Sequence, residues 1–153
     1  MYPADTIYFY AQTDPYAEFS NFAPFGVAMQ GVWWPTVEHY FQAQKFADVT
    51  YGERIRRALR PKHAKALGMT RALPLRADWE QVKEAIMSEA VLCKFKSHMR
   101  LAELLLSTGD RMIVENAPMD ADWGCGPDGN GLNRMGKILM RVRESLRAAR
   151  AVG

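Results

Sequence analysis

Apolar residues fall into two regimes along this chain. Up to Trp34 they come in short clusters broken by turn formers. "TIYFY" (6–10) predicts a β-strand, and "FGVAMQGVWW" (25–34) predicts two short strands around a turn at Gln30-Gly31. Beyond Trp34 the spacing becomes helical. Pro35-Thr36 is a start signal, with Thr36 as N-cap of a helix to about Ala47. "YGERIRRAL" (51–59) predicts a second helix stopped by Pro61, and "PKHAKALG" (61–68) a third, with Pro at its start and Gly at its end. Asp78 with Gln81 predicts a capping box opening the longest helix, whose apolar face would run Trp79, Val82, Ile86, Ala90 and Cys93. "RLAELLLSTG" (100–109) is helical and ends at Gly109, and "RMIVE" (111–115) is a candidate strand. A glycine-rich loop, "DADWGCGPDGNG" (120–131), precedes a last helix from about Leu132 to Ala149, with Ile138, Leu139 and Val142 inward. The expected fold is mainly α, one domain over residues 1–153 with a small N-terminal β element.

Composition adds limits. A length of 153 residues suits one sizeable core, and 48% hydrophobic with 24% charged residues is the balance of a soluble globular protein. A net charge of +3 is too mild to demand nucleic acid or an anionic membrane. The two cysteines, Cys93 and Cys125, form no C-x-x-C pair and no zinc spacing, so free thiols in a reducing cytosol are expected. "MYPADTIYFYAQ" lacks a basic region and an apolar run, so it does not read as a signal peptide, and no window is apolar enough to span a membrane. The expected location is the cytoplasm.

The stretch "WWPTVEHYFQAQKF" (33–46) is where chemistry first shows. On a helix at 100° per residue, Glu38 and Lys45 lie about 20° apart and Gln42 about 40° from Glu38. The three form one polar stripe, flanked by Phe41 and Phe46, on a helix apolar on nearly every other side. Such a helix is buried, and its stripe faces either a partly wet pocket or an internal ion pair between Glu38 and Lys45. Both readings are open at this point. Glu38 lies in the first helical turn, where the helix dipole stabilises a carboxylate, which suits stabilising positive charge or activating water. His39 points away from Glu38 and reads as a packed or capping histidine.

The second constellation is "DADWGCGPDGNGLN" (120–133). Its G-x-G-x-x-G at Gly124, Gly126 and Gly129 lacks a leading hydrophobic strand and carries Pro127 and Asp128 inside, which argues against dinucleotide binding. Asp120 and Asp122 lack calcium-loop spacing and a closing Glu. What remains is glycine-rich backbone ahead of a helix, able to approach a ligand and donate amides to a phosphate. Around it stand Asp120, Asp122, Asn133 and Trp123, a ring for a flat base to stack on. One of the two aspartates is expected to be only a turn residue or cap. A third patch, "EFSNF" (18–22), sets Ser20 and Asn21 between Phe19 and Phe22, which fits either ring stacking with polar readout or an aromatic plug in the core. G-x-S-x-G, P-loop, H-E-x-x-H and Cys-His signatures are absent, and His39, His63 and His98 show no ligand spacing. The chemistry on offer is carboxylate, amine and amide, without metal or cofactor. That set suits glycosidic cleavage, whose oxocarbenium-like transition state a carboxylate stabilises.

"FYAQTDPYAEFSNFAPF", "WPTVEHYFQAQKF", "DWEQVKEAIM" and "LLSTGDRMIVENAPMDADWGCGPDGNGLNRMGKILMRVR" resemble the YbiA-like, or NADAR, family of N-glycosidases, from about Ile7 to Leu146. The resemblance implies a mostly helical single domain that hydrolyses a bond between a ribose carbon and an amine or base nitrogen. It implies small ribosylated substrates, the ribosylamino-pyrimidine phosphates of early riboflavin biosynthesis, or ADP-ribose attached to guanine in nucleic acid. Residue by residue, it makes Glu38 the motif glutamate, Lys45 the motif lysine, Asp120 the acidic residue three before the tryptophan of "DxxWG", and Trp123 that tryptophan. Asp122 is a second acidic residue in that segment, so which aspartate acts is left open. Lys45 could act as a neutral amine attacking C1′ or as an ammonium binding phosphate. The reading also places ribose against the Glu38–Gln42–Lys45 stripe and a base on Trp123 or on Phe19 and Phe22. Sugar hydroxyls fall to Asn21, Gln42 and Asn133, and phosphate to amides of the Gly124–Gly126 loop and to Arg56. A non-catalytic module that binds ADP-ribose-like nucleotides is the alternative.

Overall fold

The computed structural model describes all 153 residues. It is mainly α: six helices and four three-residue strands. The chain forms two compact units, one joining residues 1–23 to 95–153 and the other comprising 24–94.

In the 24–94 unit, β2 (Val27–Met29) and β3 (Val32–Trp34) make an antiparallel hairpin with Val27 opposite Trp34. Its turn is Gln30-Gly31, both at positive φ (56° and 77°), the backbone that matches the twist of paired strands. Then come α1 (Val37–Gln44), α2 (Val49–Arg56) and α3 (Pro61–Gly68). Thr36 caps α1 as expected, accepting from His39 N–H (3.2 Å), whereas α2 starts two residues before the expected Tyr51 because Asp48 caps it, accepting from Tyr51 N–H (2.8 Å). Pro61 opens α3 at a position where its missing N–H costs nothing. α1 is buried from Val37 through Ala43. Ring contacts surround it: Trp34 edge-on against Tyr40 at 5.4 Å and Phe41 tilted against Trp79 at 5.0 Å between ring centres.

α4 (Trp79–Ser97) begins in this unit. Its buried face differs from the sequence expectation. Trp79, Met87, Ala90, Val91, Lys94 and Phe95 are buried, while Val82, Ile86 and Cys93 are only half-buried. The inward stripe carries lysines, Lys94 fully buried with its ammonium over the Phe25 ring, so a pattern drawn from apolar residues alone was rotated. The Asp78 capping box is corrected too. Both carboxylate oxygens of Asp78 accept from Arg76 (2.6 and 3.0 Å), and the first turn closes on its carbonyl, which accepts from Gln81 and Val82.

In the other unit, β1 (Ile7–Phe9) pairs in parallel with β4 (Ile113–Glu115), so the β element is not confined to the N-terminal segment. α5 (Met99–Ser107) and α6 (Arg134–Val152) complete it. Phe9, Phe19, Phe95, Leu101, Leu105, Ile113, Ile138 and Leu139 form the core. Gly136 lets α6 lie against β4, since a Cβ there would meet the Ile113 carbonyl at 2.1 Å. Buried Arg143 ties this packing, donating through Nη1 to Thr108 Oγ1 and the Arg111 carbonyl, both at 2.9 Å.

Candidate active site

α1 turns its polar stripe into the protein. Glu38, Gln42 and Lys45 are 6%, 4% and 9% exposed, burial that three polar side chains tolerate only with partners. Gln42 Nε2 donates to Glu38 Oε2 at 2.8 Å. Lys45 Nζ reaches the Gly68 carbonyl at 3.4 Å, at the end of α3. Gln42 Oε1 is buried and has no hydrogen-bond donor. An unpaired buried amide oxygen costs stability, and this one lies against Gly68 beside a carboxylate and an amine.

Gly68 makes this arrangement possible. A Cβ on it would lie 1.9 Å from Gln42 Oε1. Its φ is not in the left-handed region, and the cap that follows, Met69, is still helical. This glycine serves close approach rather than helix termination, a role the sequence reading missed because a glycine at the end of a helical run looks like a stop signal.

Burial dominates the titration of Lys45 and pushes its pKa down. Glu38 opposes the shift, and Arg71, Lys65 and Lys83 add to it. The net direction favours the neutral amine more than in water. His39 takes no part in the stripe. Its Nδ1 lies 2.8 Å from Thr36 Oγ1 and its Nε2 2.9 Å from the Ala58 carbonyl. A carbonyl only accepts, so Nε2 carries the proton and Nδ1 accepts from the threonine hydroxyl. Burial lowers its pKa.

The Gly124–Gly126 loop is organised around itself. The N–H groups of Cys125, Gly126 and Gly131 donate to the carbonyls of Glu115, Asp120 and Cys125 at 2.9, 3.1 and 2.7 Å. Those of Asn133, Arg134 and Met135, at the entry to α6, donate to Gly124, Asp122 and Trp123. The amides of Cys125, Gly126 and Gly131 are thus already engaged by backbone carbonyls, which argues against the expectation that they cradle a phosphate. Gly124 has no room for a side chain, with Ala117 Cβ 2.8 Å and two carbonyl oxygens 2.9 Å from where a Cβ would stand. Asp120 Oδ1 accepts from the N–H groups of Asp122 and Trp123, each at 2.9 Å, so Asp120 shapes the turn. Asp122 Oδ1 pairs with Arg134 Nε at 2.5 Å. Trp123 is half-buried.

Asn133 is also corrected. Its Oδ1 accepts from Glu115 N–H (3.0 Å) and its Nδ2 donates to the Ile113 carbonyl (2.9 Å), so the amide pins both ends of β4 rather than meeting sugar hydroxyls. Phe19 is fully buried, its ring within 6 Å of those of Phe9, Tyr16 and Phe95 (5.9, 5.3 and 5.8 Å), which makes it a core anchor and not a stacking platform. Ser20 Oγ accepts from Phe22 N–H at 3.1 Å, a local turn, and buried Asn21 donates to Met135 Sδ at 3.6 Å. Phe22 is half-buried. The Arg56 guanidinium grips Glu53, whose carboxyl it and Arg57 hold down at about 2, and it also donates to the Trp33 carbonyl at 3.3 Å. That engagement weakens its candidacy as a phosphate ligand.

No group of three or more His, Cys, Asp or Glu side chains gathers to hold a metal ion, and no helix is long and apolar enough to cross a membrane.

With this geometry in view, comparison with known proteins is decisive on class. The NADAR domain family matches residues 8–147. An N-glycosidase of Nostoc punctiforme is 51% identical, covering 93% of both chains. N-glycosidase YbiA of Escherichia coli is 49% identical, covering 93% of this chain and 89% of its own. The NMR structure of E. coli YbiA superposes with a TM-score of 0.89 at 47% identity, over 96% of this chain and 88% of that one. A maize protein named for riboflavin biosynthesis is 38% identical over 95% of this chain, which spans only 26% of it. The class is that of N-glycosidases, hydrolases of N-glycosyl bonds. The chain belongs to the NADAR family.

Proposed function

We propose that this N-glycosidase hydrolyses the ribose C1′–N bond of ribosylamino-pyrimidine phosphates, releasing ribose 5-phosphate and the free amine. The observation that carries the proposal is the buried row on α1: a carboxylate bonded to an amide whose acceptor lacks a donor, and an amine of lowered pKa, the amide and the amine both against Gly68. Glu38 lies where it can stabilise the positive charge that develops on the sugar as the bond breaks. Gln42 orients Glu38 through Nε2 and offers Oε1 to a ribose hydroxyl. Lys45, as a neutral amine, attacks C1′. The C1′–N bond breaks, the departing nitrogen takes a proton, and the opened sugar is held as a Schiff base until water releases it and restores the amine.

The relatives named for riboflavin biosynthesis support the pyrimidine substrate class. For the 120–123 turn the assignment follows the family resemblance: Asp120 as second carboxylate, Trp123 as the ring on which a base stacks. Asp120→Asn keeps an oxygen for the two turn amides and removes the charge, so it separates a chemical from a structural role. The test of the proposal is product analysis with 5-amino-6-(5-phosphoribosylamino)uracil. Ribose 5-phosphate and diaminouracil in equal amounts support it. An intact substrate, with release of ADP-ribose from ADP-ribosylated guanine instead, moves the activity to nucleic-acid-linked ADP-ribose. Binding without either product leaves a nucleotide-binding module.

A further inference from the structure

The end of α3 gives its carbonyls to side chains from α1, α2 and the segment that follows it. The Leu67 carbonyl accepts from the Tyr51 hydroxyl at 2.6 Å and the Gly68 carbonyl from Lys45 Nζ at 3.4 Å. The Met69 and Thr70 carbonyls accept from Arg71 Nη1 at 3.2 and 2.8 Å. A helix C-terminus leaves such acceptors unmatched within the helix, so these donors decide where the end sits. Thr70 N–H also reaches the Leu67 carbonyl, but at 3.4 Å, so the short bond there is the tyrosine's. Tyr51 is itself held at two further points. Asp48 Oδ1 accepts from its N–H at 2.8 Å, and its ring stands edge-on to Phe46 at 5.0 Å between centres. Phe46 directly follows Lys45, and Leu67 directly precedes Gly68. Tyr51 therefore ties the neighbour of Lys45 to the neighbour of Gly68. On their other flank Tyr51, Leu67, Met69 and Leu73 line an open cavity of about 550 Å³, so side-chain packing does not hold the end of α3 from that side.

We propose that Tyr51 is a positioning residue for the α1 row: its hydroxyl holds the end of α3 at the distance where the Gly68 backbone meets both Lys45 and Gln42. The proposal rests on the reading above that Lys45 acts as an amine. The fit has little slack. Gln42 Oε1 stands 1.9 Å from where a Cβ of Gly68 would be, so the helix end lies directly on the amide. Lys45 Nζ meets the Gly68 carbonyl at 3.4 Å, near the outer limit of a hydrogen bond, so a small retreat of α3 breaks that contact. The same retreat admits water to Lys45. Burial is the main cause of its lowered pKa, and water removes that cause. The charged groups that act on Lys45 are Glu38 of α1, Lys65 of α3, Arg71 after α3 and Lys83 of α4, and loss of the Tyr51 hydroxyl alters none of their charges. Tyr51 acts on the row through Leu67 and Gly68 and not by touching the reacting atoms.

The experiment compares wild type, Tyr51→Phe and Asp48→Ala as full chains. Phenylalanine keeps the ring against Phe46 and removes only the hydroxyl. Asp48→Ala loosens the start of α2 at the Tyr51 N–H and keeps the hydroxyl bond, so it is the control for a merely structural loss. Two quantities are read. One is the pH dependence of kcat on 5-amino-6-(5-phosphoribosylamino)uracil. The other is the titration of Lys45 itself, followed by NMR of a chain carrying isotope-labelled lysine, with the Lys45 signal assigned by its loss in Lys45→Met. Thermal melts report folding in every variant. In Tyr51→Phe the Lys45 titration and the rising limb of kcat are expected to move to higher pH together, and kcat at neutral pH to fall about three- to tenfold as the neutral amine becomes scarcer. Asp48→Ala is expected to lower the melting temperature and leave both titrations in place. A Lys45 titration that stays put or moves to lower pH in Tyr51→Phe overturns the proposal, as does an equal movement in both variants. Hydrolysis by wild type with the Lys45 titration unmoved in Tyr51→Phe leaves the glycosidase standing and removes the positioning role. An upward movement confined to Tyr51→Phe, in a chain that hydrolyses nothing, keeps the positioning role and removes the glycosidase reading.

Discussion

Gly68 and Gln42 are fitted to one another: a Cβ on Gly68 would stand 1.9 Å from Gln42 Oε1 and 2.7 Å from Gln42 Cδ. The amide that orients Glu38 keeps its place only because α3 presents bare backbone to it. Gly68→Ala is expected to displace the Gln42 side chain and break its 2.8 Å bond to Glu38. The cost in stability is about 1–3 kcal/mol, the range for forcing a methyl into a packed interior. Activity should fall further than stability accounts for. Denaturant unfolding and kcat on the same preparation check this, and Gly68→Ala combined with Gln42→Ala should recover stability without recovering activity.

Lys45 carries a pH prediction. Its pKa is lowered, chiefly by burial, so the neutral amine becomes available below the usual lysine range. Turnover should rise with pH through the depressed Lys45 pKa and then level. Lys45→Met and Lys45→Arg should both abolish this limb and the activity with it. Borohydride added during turnover should leave a ribosyl adduct on Lys45, visible by mass spectrometry.

His39 carries a prediction for stability. Folded His39 is neutral, bonded to Thr36 and the Ala58 carbonyl, with its pKa pushed down by burial. Unfolded, it titrates at about 6.5. Between that value and the depressed folded one, the unfolded chain binds the extra proton, so stability falls as pH drops through this window and is unaffected by His39 above it. Unfolding curves between pH 7 and 4 should show this slope, and His39→Gln should flatten it at the cost of a lower plateau.

Asn133 is a framework residue in this account. Asn133→Ala removes two buried hydrogen bonds to β4 and leaves alanine at φ 51°. A loss of about 2–4 kcal/mol is expected from the stranded backbone groups and the left-handed conformation together. If Asn133 met substrate instead, the variant would raise KM with its melting temperature unchanged.

What the sequence revealed and what it hid follow from one rule. α1 was legible because its cap, its rings and its polar stripe all obey helical spacing, and the hairpin because Gln30-Gly31 is a turn pair. The inward face of α4 was misjudged because lysines lie on it, and hydrophobic periodicity counts lysine as outside. Asn133 and Asp120 looked like site residues because polar groups near a glycine loop invite that reading. Their partners are backbone groups, in the case of Asn133 about twenty residues back along the chain, and no local pattern shows those. The Arg56–Glu53 pair lies at i, i+3 spacing, which is legible in the sequence and argues against Arg56 as a phosphate ligand.

The central claim is that Glu38 acts on the sugar of a ribosylated amine. The most direct measurement is release of ribose 5-phosphate from 5-amino-6-(5-phosphoribosylamino)uracil by wild type and Glu38→Gln side by side. Gln is isosteric and can still bond to the Gln42 amide, so the fold and melting temperature should be preserved. The account predicts release by wild type and a loss of about 10²–10³-fold in kcat for the variant. Equal release by both would contradict it.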